Sequence, residues 1–182
     1  MRYTIHCKEM MNEQQKQVFW TYQEAPEHFS IGHPESPERF RVFEDWLTSS
    51  PYPAMQQLDF APARLGDLIL CHSQQMIERL QAVCGEGPQE IEQAPTYVTP
   101  DSFQAALGAT GATLAVSRKI LDEGAGRGFA IVRPPGHHAT HDQAMGFCLF
   151  NNLAIAAADA VISGVGKVAI VDIDAHHGNG IE

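Results

Sequence analysis

Hydrophobic residues recur at helical spacing in four segments of the chain, and this pattern predicts four helices. The segments cover residues 36–47, 74–83, 102–121 and 151–163. In the first, Ser36 precedes Pro37 in the arrangement of a helix cap followed by proline at the first helical position. The third segment is rich in alanine and glycine, which permits close packing against a sheet.

Two other apolar runs have the pattern of buried strands. Residues 129–132 form a short continuous apolar run that ends at two prolines, and residues 165–174 form a second run. With the helix between them they predict a right-handed βαβ unit in a parallel α/β sheet. Residues 2–6 are a candidate first strand, whereas residues 7–35 have mixed polarity and indicate a long, partly irregular arm. So few strands for so much helix suggest a truncated domain.

Composition and charge exclude several classes of protein. The chain has 182 residues, enough for one domain, and carries a formal net charge of −10 with no basic patch, which argues against direct nucleic-acid binding. No apolar run is long enough to span a membrane, and the N-terminus lacks the pattern of a secretory signal. The four cysteines form no CxxC pair, so we expect free thiols in a cytoplasmic protein.

The segment V-D-I-D-A-H-H-G-N-G, residues 171–180, is the richest in candidate chemistry. If the extended geometry persists, Asp172, Asp174 and His176 project to the same side at the carboxyl end of a strand. Buried carboxylates and imidazoles are costly unless they pair or bind a cation, and this donor set suits zinc or a similar divalent ion. The pattern therefore predicts a metal site, and a strand-end turn with solvated Asp and His side chains is the alternative.

A second polar segment, R-P-P-G-H-H-A at residues 133–139, follows the other predicted strand and should emerge at the same sheet edge. Its adjacent histidines, His137 and His138, could act as general base and general acid near neutral pH. A metal site or an exposed surface pair are the alternatives that the residues alone leave open.

Together these two segments resemble the histone deacetylase and acetylpolyamine amidohydrolase superfamily, in the form found in its class II-type branch and bacterial relatives. Weaker similarity extends over G-H-P-E-S-P-E-R-F at residues 32–40, C-H-S-Q-Q-M-I-E-R-L at residues 71–80 and T-Y-V-T-P-D-S-F-Q-A-A-L-G-A-T-G-A at residues 96–112. The resemblance covers residues 28–182 and implies a three-layer arginase/deacetylase-like fold with a central parallel sheet. Residues 1–182 would then be the N-terminal part of one deacetylase domain, with residues 7–27 a divergent arm.

The resemblance also implies individual roles. Asp174 and His176 match two of three zinc ligands, and His137 and His138 match the tandem catalytic histidines. The remaining matches are Asp172 and Asn179 as partners of those histidines, Gly146 and Phe147 as the wall of a substrate tunnel, and Arg39 at an internal cavity.

The implied activity is hydrolysis of acetyl-lysine or of acetylated polyamines and amines, with zinc or ferrous iron as the catalytic metal. A structural potassium site in residues 172–176 is implied as well. The family's third ligand, an aspartate, and its oxyanion-stabilising tyrosine would lie beyond residue 182, so the chain alone is expected to be inactive. The sequence leaves the oligomeric state open.

Two other functions compete with this interpretation. A ureohydrolase of the same wider fold needs a two-metal D-x-H-x-D pattern, but Gly178 stands where the last aspartate would be. A binding-only relative, or a fragment that does not fold alone, is the other alternative. The expected catalytic residues are all present, so nothing in the sequence favours loss of activity.

Overall fold

A parallel sheet forms the centre of the computed structural model, which describes residues 17–49, 55–92 and 95–182. The strands are β1 (Val18–Gln23), β2 (Met55–Gln57), β3 (Gln89–Glu90), β4 (Tyr97–Val98) and β5 (Arg127–Val132). The helices are α1 (Arg41–Ser49), α2 (Leu65–Leu68), α3 (Gln74–Gly85), α4 (Ser102–Glu123) and α5 (Asn152–Ile162).

The middle strand of the sheet is β1, with β2 on one side and β5 on the other, all parallel. Val18 lies opposite Met55 in one ladder and opposite Arg127 in the other. Strands β3 and β4 form a separate antiparallel pair. The parallel arrangement confirms the α/β prediction.

The interpretation of residues 7–35 as an irregular arm was wrong for residues 18–23, which form this central strand. Phe19 and Thr21 are 2% and 0% exposed. The Thr21 hydroxyl donates to the carbonyl of Ala112 in α4, so the polar side chain is satisfied inside the core. The candidate strand at residues 2–6 lies outside the described residues.

Helix α4 packs across β1 and β5, and its glycines explain how it comes so close. A Cβ at Gly111 would lie 2.0 Å from the carbonyl oxygen of Ala61, and one at Gly108 would collide with the side chain of Gln23. The small residues seen in the sequence therefore allow the backbone of α4 to approach its neighbours, as predicted.

The predicted helices are present, and side-chain caps account for the starts of α3 and α5. Ser73 Oγ accepts a hydrogen bond from the N–H of Met76, and Asn151 Oδ1 accepts one from the N–H of Ala154. The predicted cap at Ser36 is not formed: Ser36 is extended, makes no side-chain cap, and precedes a 3-10 turn over Pro37–Phe40 that comes before α1.

Residues 165–174 do not form the predicted second strand of the βαβ unit. They have no ladder partner among the described residues, and Val171 and Ile173 are 81% and 93% exposed. A cavity of about 570 Å³, lined by β5, α4, α5 and residues 168–171, includes both this segment and the strand it was expected to join. A β-strand is defined by backbone hydrogen bonds to a neighbouring strand, so an apolar run that pairs with no neighbour does not form one.

Candidate metal and proton-transfer site

The loop after β5 and the segment that ends at residue 182 meet through His137 and Asp172. The Nδ1–H of His137 donates to Asp172 Oδ2 at 2.8 Å. The N–H of Asp174 is the main reason that the pKa of Asp172 lies below its usual range, with His137 contributing next. An ionised carboxylate therefore fixes the ring of His137 and leaves its Nε2 for proton transfer.

His138 is held in the same way, but by a neutral partner. Its Nδ1–H donates to Asn179 Oδ1 at 2.7 Å. The Asn179 amide nitrogen faces the His138 carbonyl and the sulfur of Met145, and these contacts set the amide orientation. Both tandem histidines thus keep Nε2 available, one beside a carboxylate and one beside an amide.

Asp174 and His176 are the candidate metal ligands, and their donor atoms are close together. His176 Nδ1 lies 3.2 Å from Asp174 Oδ1. The donor atoms of a tetrahedral zinc site with ligand bonds of about 2.0–2.2 Å are about 3.4 Å apart, so this pair fits two adjacent positions. The N–H of His176 is the chief cause that lowers the pKa of Asp174, which keeps the carboxylate ionised as a ligand must be.

The histidines and the candidate ligands form one group. The rings of His137 and His138 have centroids 4.0 Å apart, and the rings of His138 and His176 have centroids 6.1 Å apart. Within residues 17–49, 55–92 and 95–182, however, no three His, Cys, Asp or Glu side chains converge as a metal site. The described donors would therefore supply two ligands to a metal ion, whereas catalytic zinc sites usually have three from the protein.

Glycine at 178 and 146 is required by close contacts inside this group. A Cβ at Gly178 would lie 2.2 Å from Asp172 Oδ2. The aspartate that the two-metal D-x-H-x-D pattern needs at position 178 would therefore displace the side chain of Asp172. A Cβ at Gly146 would lie 2.4 Å from Cδ2 of His138. Phe147 follows Gly146, and both have positive φ, of 58° and 68°.

Arg39 is the predicted site residue that the structure does not bring to this group. It lies on the 3-10 turn Pro37–Phe40, and its side chain is exposed. Its position gives no support to a role at an internal cavity, so that role stays a prediction.

Sequence reasoning missed the residues that hold the two loops together. The amide of Asn151 donates to the carbonyls of Ala139 and Gly180, one on each loop. The ring of His72 accepts from the N–H of Asn151 at 2.9 Å and donates to the Thr140 carbonyl at 2.8 Å. The sequence gives no sign of this bridge, because His72 contacts residues that lie far from it in the chain.

A buried ion pair behind the histidine loop was missed as well. The guanidinium of Arg133 binds both carboxylate oxygens of Glu35, and both side chains are 1% exposed. Burial alone would raise the pKa of Glu35, but His28 and Arg133 outweigh it and lower the pKa to about 2. The Tyr97 hydroxyl also donates to Glu35, so it belongs to this network.

The described cysteines, Cys71, Cys84 and Cys148, are free. Cys148 adjoins the site, but burial raises its pKa to about 12. A thiol held in the neutral form is a poor nucleophile, so proton transfer by the histidines is the chemistry that this site supports.

Across the described ranges, no helix is both long and apolar enough to cross a membrane.

Comparisons with known proteins agree with this geometry. A family model described as "Histone deacetylase domain" matches residues 33–182. A solved structure, "Crystal Structure of HDA15 HD domain", superposes with a TM-score of 0.83 at 32% identity, over 90% of this chain and 49% of that one. The fold and its paired loops thus define an α/β protein of the arginase/deacetylase class, with a central parallel sheet.

Curated relatives narrow the class to one family. The chain is 40% identical over 156 residues to "Histone deacetylase-like amidohydrolase" of Pseudomonas aeruginosa, covering 84% of this chain and 40% of that protein. It is 39% identical over 150 residues to "Histone deacetylase 8" of Arabidopsis thaliana, covering 81% and 40%. The chain belongs to the histone deacetylase family, and it spans less than half the length of these two relatives.

Proposed function

We propose that the protein is a metal-dependent deacetylase that hydrolyses the acetyl-amide bond of acetyl-lysine or of acetylated polyamines and amines. The observation that carries the proposal is the fixed pair of histidines, each anchored through Nδ1, beside the Asp174–His176 pair. Relatives described as deacetylases and as an amidohydrolase support the reaction class.

Asp174 and His176 would hold the metal, with zinc as the proposed ion and ferrous iron as the alternative. Bound there, such an ion supplies polarisation of a carbonyl oxygen and a lower pKa for a water molecule. A structural potassium ion near residues 172–176 remains part of the proposal, on the basis of the family resemblance.

Proton transfer is the part of the reaction that this chain's own residues perform. His138, whose Nδ1–H is bound to a neutral amide, takes the proton of the attacking water at Nε2. A protonated histidine then gives a proton to the leaving amine. Asp172 keeps the ring of His137 in one orientation throughout.

The test uses the full-length protein, loaded with zinc, and measures acetate release from an acetyl-lysine peptide and from an acetylated polyamine. His138→Ala should lower kcat by about 100-fold or more, since a positioned general base contributes at least that much. His141→Ala is the matched control, because His141 lies on the same loop with 66% of its side chain exposed. Equal activities of the two variants would overturn the assignment.

Metal binding has a test that does not depend on turnover. Asp174→Ala and His176→Ala should each reduce the zinc retained after dialysis, measured by elemental analysis. His177→Ala should not, because the His177 imidazole is paired with Glu182. Retention of a full equivalent by both ligand variants would place the metal elsewhere.

We infer that the 182-residue chain by itself does not turn over acetylated amines. Its described residues bring two candidate ligands together, and a zinc ion held by two protein ligands binds weakly. Turnover of an acetyl-lysine substrate at enzymatic rates by this chain with added zinc would refute the inference.

A further inference from the structure

The turn at Gly146 and Phe147 is held in an unfavourable backbone conformation next to the catalytic histidines. Both residues have positive φ, which a phenylalanine rarely adopts. Such a conformation persists only where the surroundings over-determine it. The residues that hold this turn therefore control where the Phe147 ring lies.

One carboxylate oxygen supports the backbone of the turn. The N–H of Gly146 donates to Glu92 Oε2 at 3.0 Å, and the hydroxyl of Thr96 donates to the same oxygen at 2.6 Å. The N–H of Phe147 donates in turn to Thr96 Oγ1 at 2.9 Å. Both amides of the turn are thus satisfied by Glu92, directly or through a fully buried threonine.

The other side of the turn faces the chemistry. The absence of a Cβ at Gly146 lets the backbone pass against the ring of His138. The Phe147 ring meets the ring of His33 edge to face, with centroids 4.5 Å apart. His33 is itself fixed, because its Nδ1 accepts from the N–H of Glu35 and its Nε2 donates to the Pro95 carbonyl.

We propose that Glu92 is a positioning residue for the reaction. Through Gly146 and through Thr96, its carboxylate fixes the turn so that the Phe147 ring stays against His33, where it would form one wall of a substrate channel to His138. Only the expected effect on substrate binding rests on the proposed function; the positioning of the turn by Glu92 does not. Loss of the carboxylate frees the Gly146 amide and removes the acceptor of the Thr96 hydroxyl, which itself accepts from the Phe147 N–H. Phe147 can then leave its unfavourable φ, while the Nδ1 anchors of His137 and His138 stay in place.

The first test measures amide hydrogen exchange by NMR in the full-length protein. Glu92→Ala should accelerate exchange at Gly146 by about 10- to 100-fold, since its N–H loses a hydrogen bond to a charged group. Exchange at Phe147 should accelerate as well, but by less, because its acceptor Thr96 loses the carboxylate that orients it. Glu92→Gln keeps an acceptor oxygen and should cause a smaller change. Glu90→Ala is the matched control, because Glu90 is exposed on the neighbouring β3.

The exchange pattern separates positioning from general stabilisation. Amides in the middle of α4, such as that of Leu114, should exchange at the same rate in every variant. Unchanged exchange at Gly146 and Phe147 in Glu92→Ala would overturn the proposal. Acceleration of all amides by the same factor would also overturn it, because it would show that Glu92 only stabilises the fold.

The second test measures turnover of the acetylated amine that the full-length protein accepts. Glu92→Ala should raise KM by about 10-fold and change kcat by less than about 3-fold, because channel contacts are made in the bound state as in the transition state. Glu92→Gln should return KM most of the way to the value of the unaltered protein. A fall in kcat without a change in KM would overturn the channel role. If the unaltered protein has no turnover, the proposed function fails, while the exchange measurement still decides whether Glu92 holds the turn.

Discussion

Arg133 and Glu35 form an ion pair inside the protein, although they lie far apart in the chain. One guanidinium nitrogen lies 2.8 Å from Glu35 Oε2, and both side chains are 1% exposed. Arg133 also donates to the carbonyls of Glu24, Ala25 and His28. Because Arg133 begins the loop that carries the tandem histidines, the pair joins this loop to the segment after β1.

Removal of the negative partner should be strongly destabilising. Glu35→Gln leaves a buried guanidinium without a countercharge, and we expect the free energy of unfolding to fall by about 3–5 kcal/mol in urea unfolding. Glu123→Gln is the control, because its pair with Lys119 is exposed and should contribute less than about 0.5 kcal/mol. Similar small losses for both variants would show that the buried pair does not stabilise the loop.

His72 bridges two backbone groups in a way that requires the neutral ring. Its Nε2 accepts from the N–H of Asn151 while its Nδ1–H donates to the Thr140 carbonyl. His72→Gln cannot reach both groups, so at pH 8 we expect a loss of about 1–3 kcal/mol in the free energy of unfolding. His141→Gln, a change at an exposed histidine, should have little effect.

The contribution of His72 should also depend on pH. Burial is the main cause that lowers the pKa of His72 below its usual value of 6.5, so the folded protein favours the neutral ring. The contribution is present in full above pH 6.5 and is lost as the pH falls below it. The difference in unfolding free energy between the unaltered protein and His72→Gln should therefore shrink from pH 8 to pH 5.5. A constant difference would contradict the bridging tautomer.

Gly146→Ala should damage the site more than the fold. Its Cβ would lie 2.4 Å from Cδ2 of His138, and the ring has to move. We expect kcat/KM of the full-length protein to fall by about 100-fold or more, as for loss of a general base. Gly124→Ala has nearly the same φ, of 69° rather than 58°, but open space around its Cβ. It should cost about 1–2 kcal/mol of stability and leave kcat/KM unchanged. An equal loss of kcat/KM in both variants would assign the effect to backbone strain.

Hydrophobic spacing in the sequence predicted the helices, because residues close together in the chain determine them. The hydrophobic pattern predicted α3 and α5, and the structure adds side-chain caps at Ser73 and Asn151. Strand β1 was missed because its burial comes from α4, which lies far along the chain. Residues 165–174 had the composition of a strand, but a strand also needs a neighbour, which the apolar pattern does not supply.

The candidate site likewise has residues that the sequence predicted and residues that it did not. The motifs that contain His137, His138, Asp174 and His176 are short, and the structure brings them together as the sequence predicted. Their supports were not predictable, because Glu35 and Glu92 act on partners that lie well away from them in the chain. An isolated glutamate in a sequence is most often a solvated surface residue, and only the fold shows what it binds.

Asn179 offers a direct test of which histidine acts as the base. His138 Nδ1–H donates to its amide oxygen at 2.7 Å, and Asn179→Asp would place a negative charge at that position. A base must be neutral to accept a proton, and an adjacent carboxylate favours the cationic ring, so we expect kcat of the full-length protein at pH 7 to fall by about 10-fold or more. Gln143→Glu makes the same chemical change at an exposed position on the loop, and it should leave kcat unchanged. An unchanged kcat in Asn179→Asp would show that His138 is not the base.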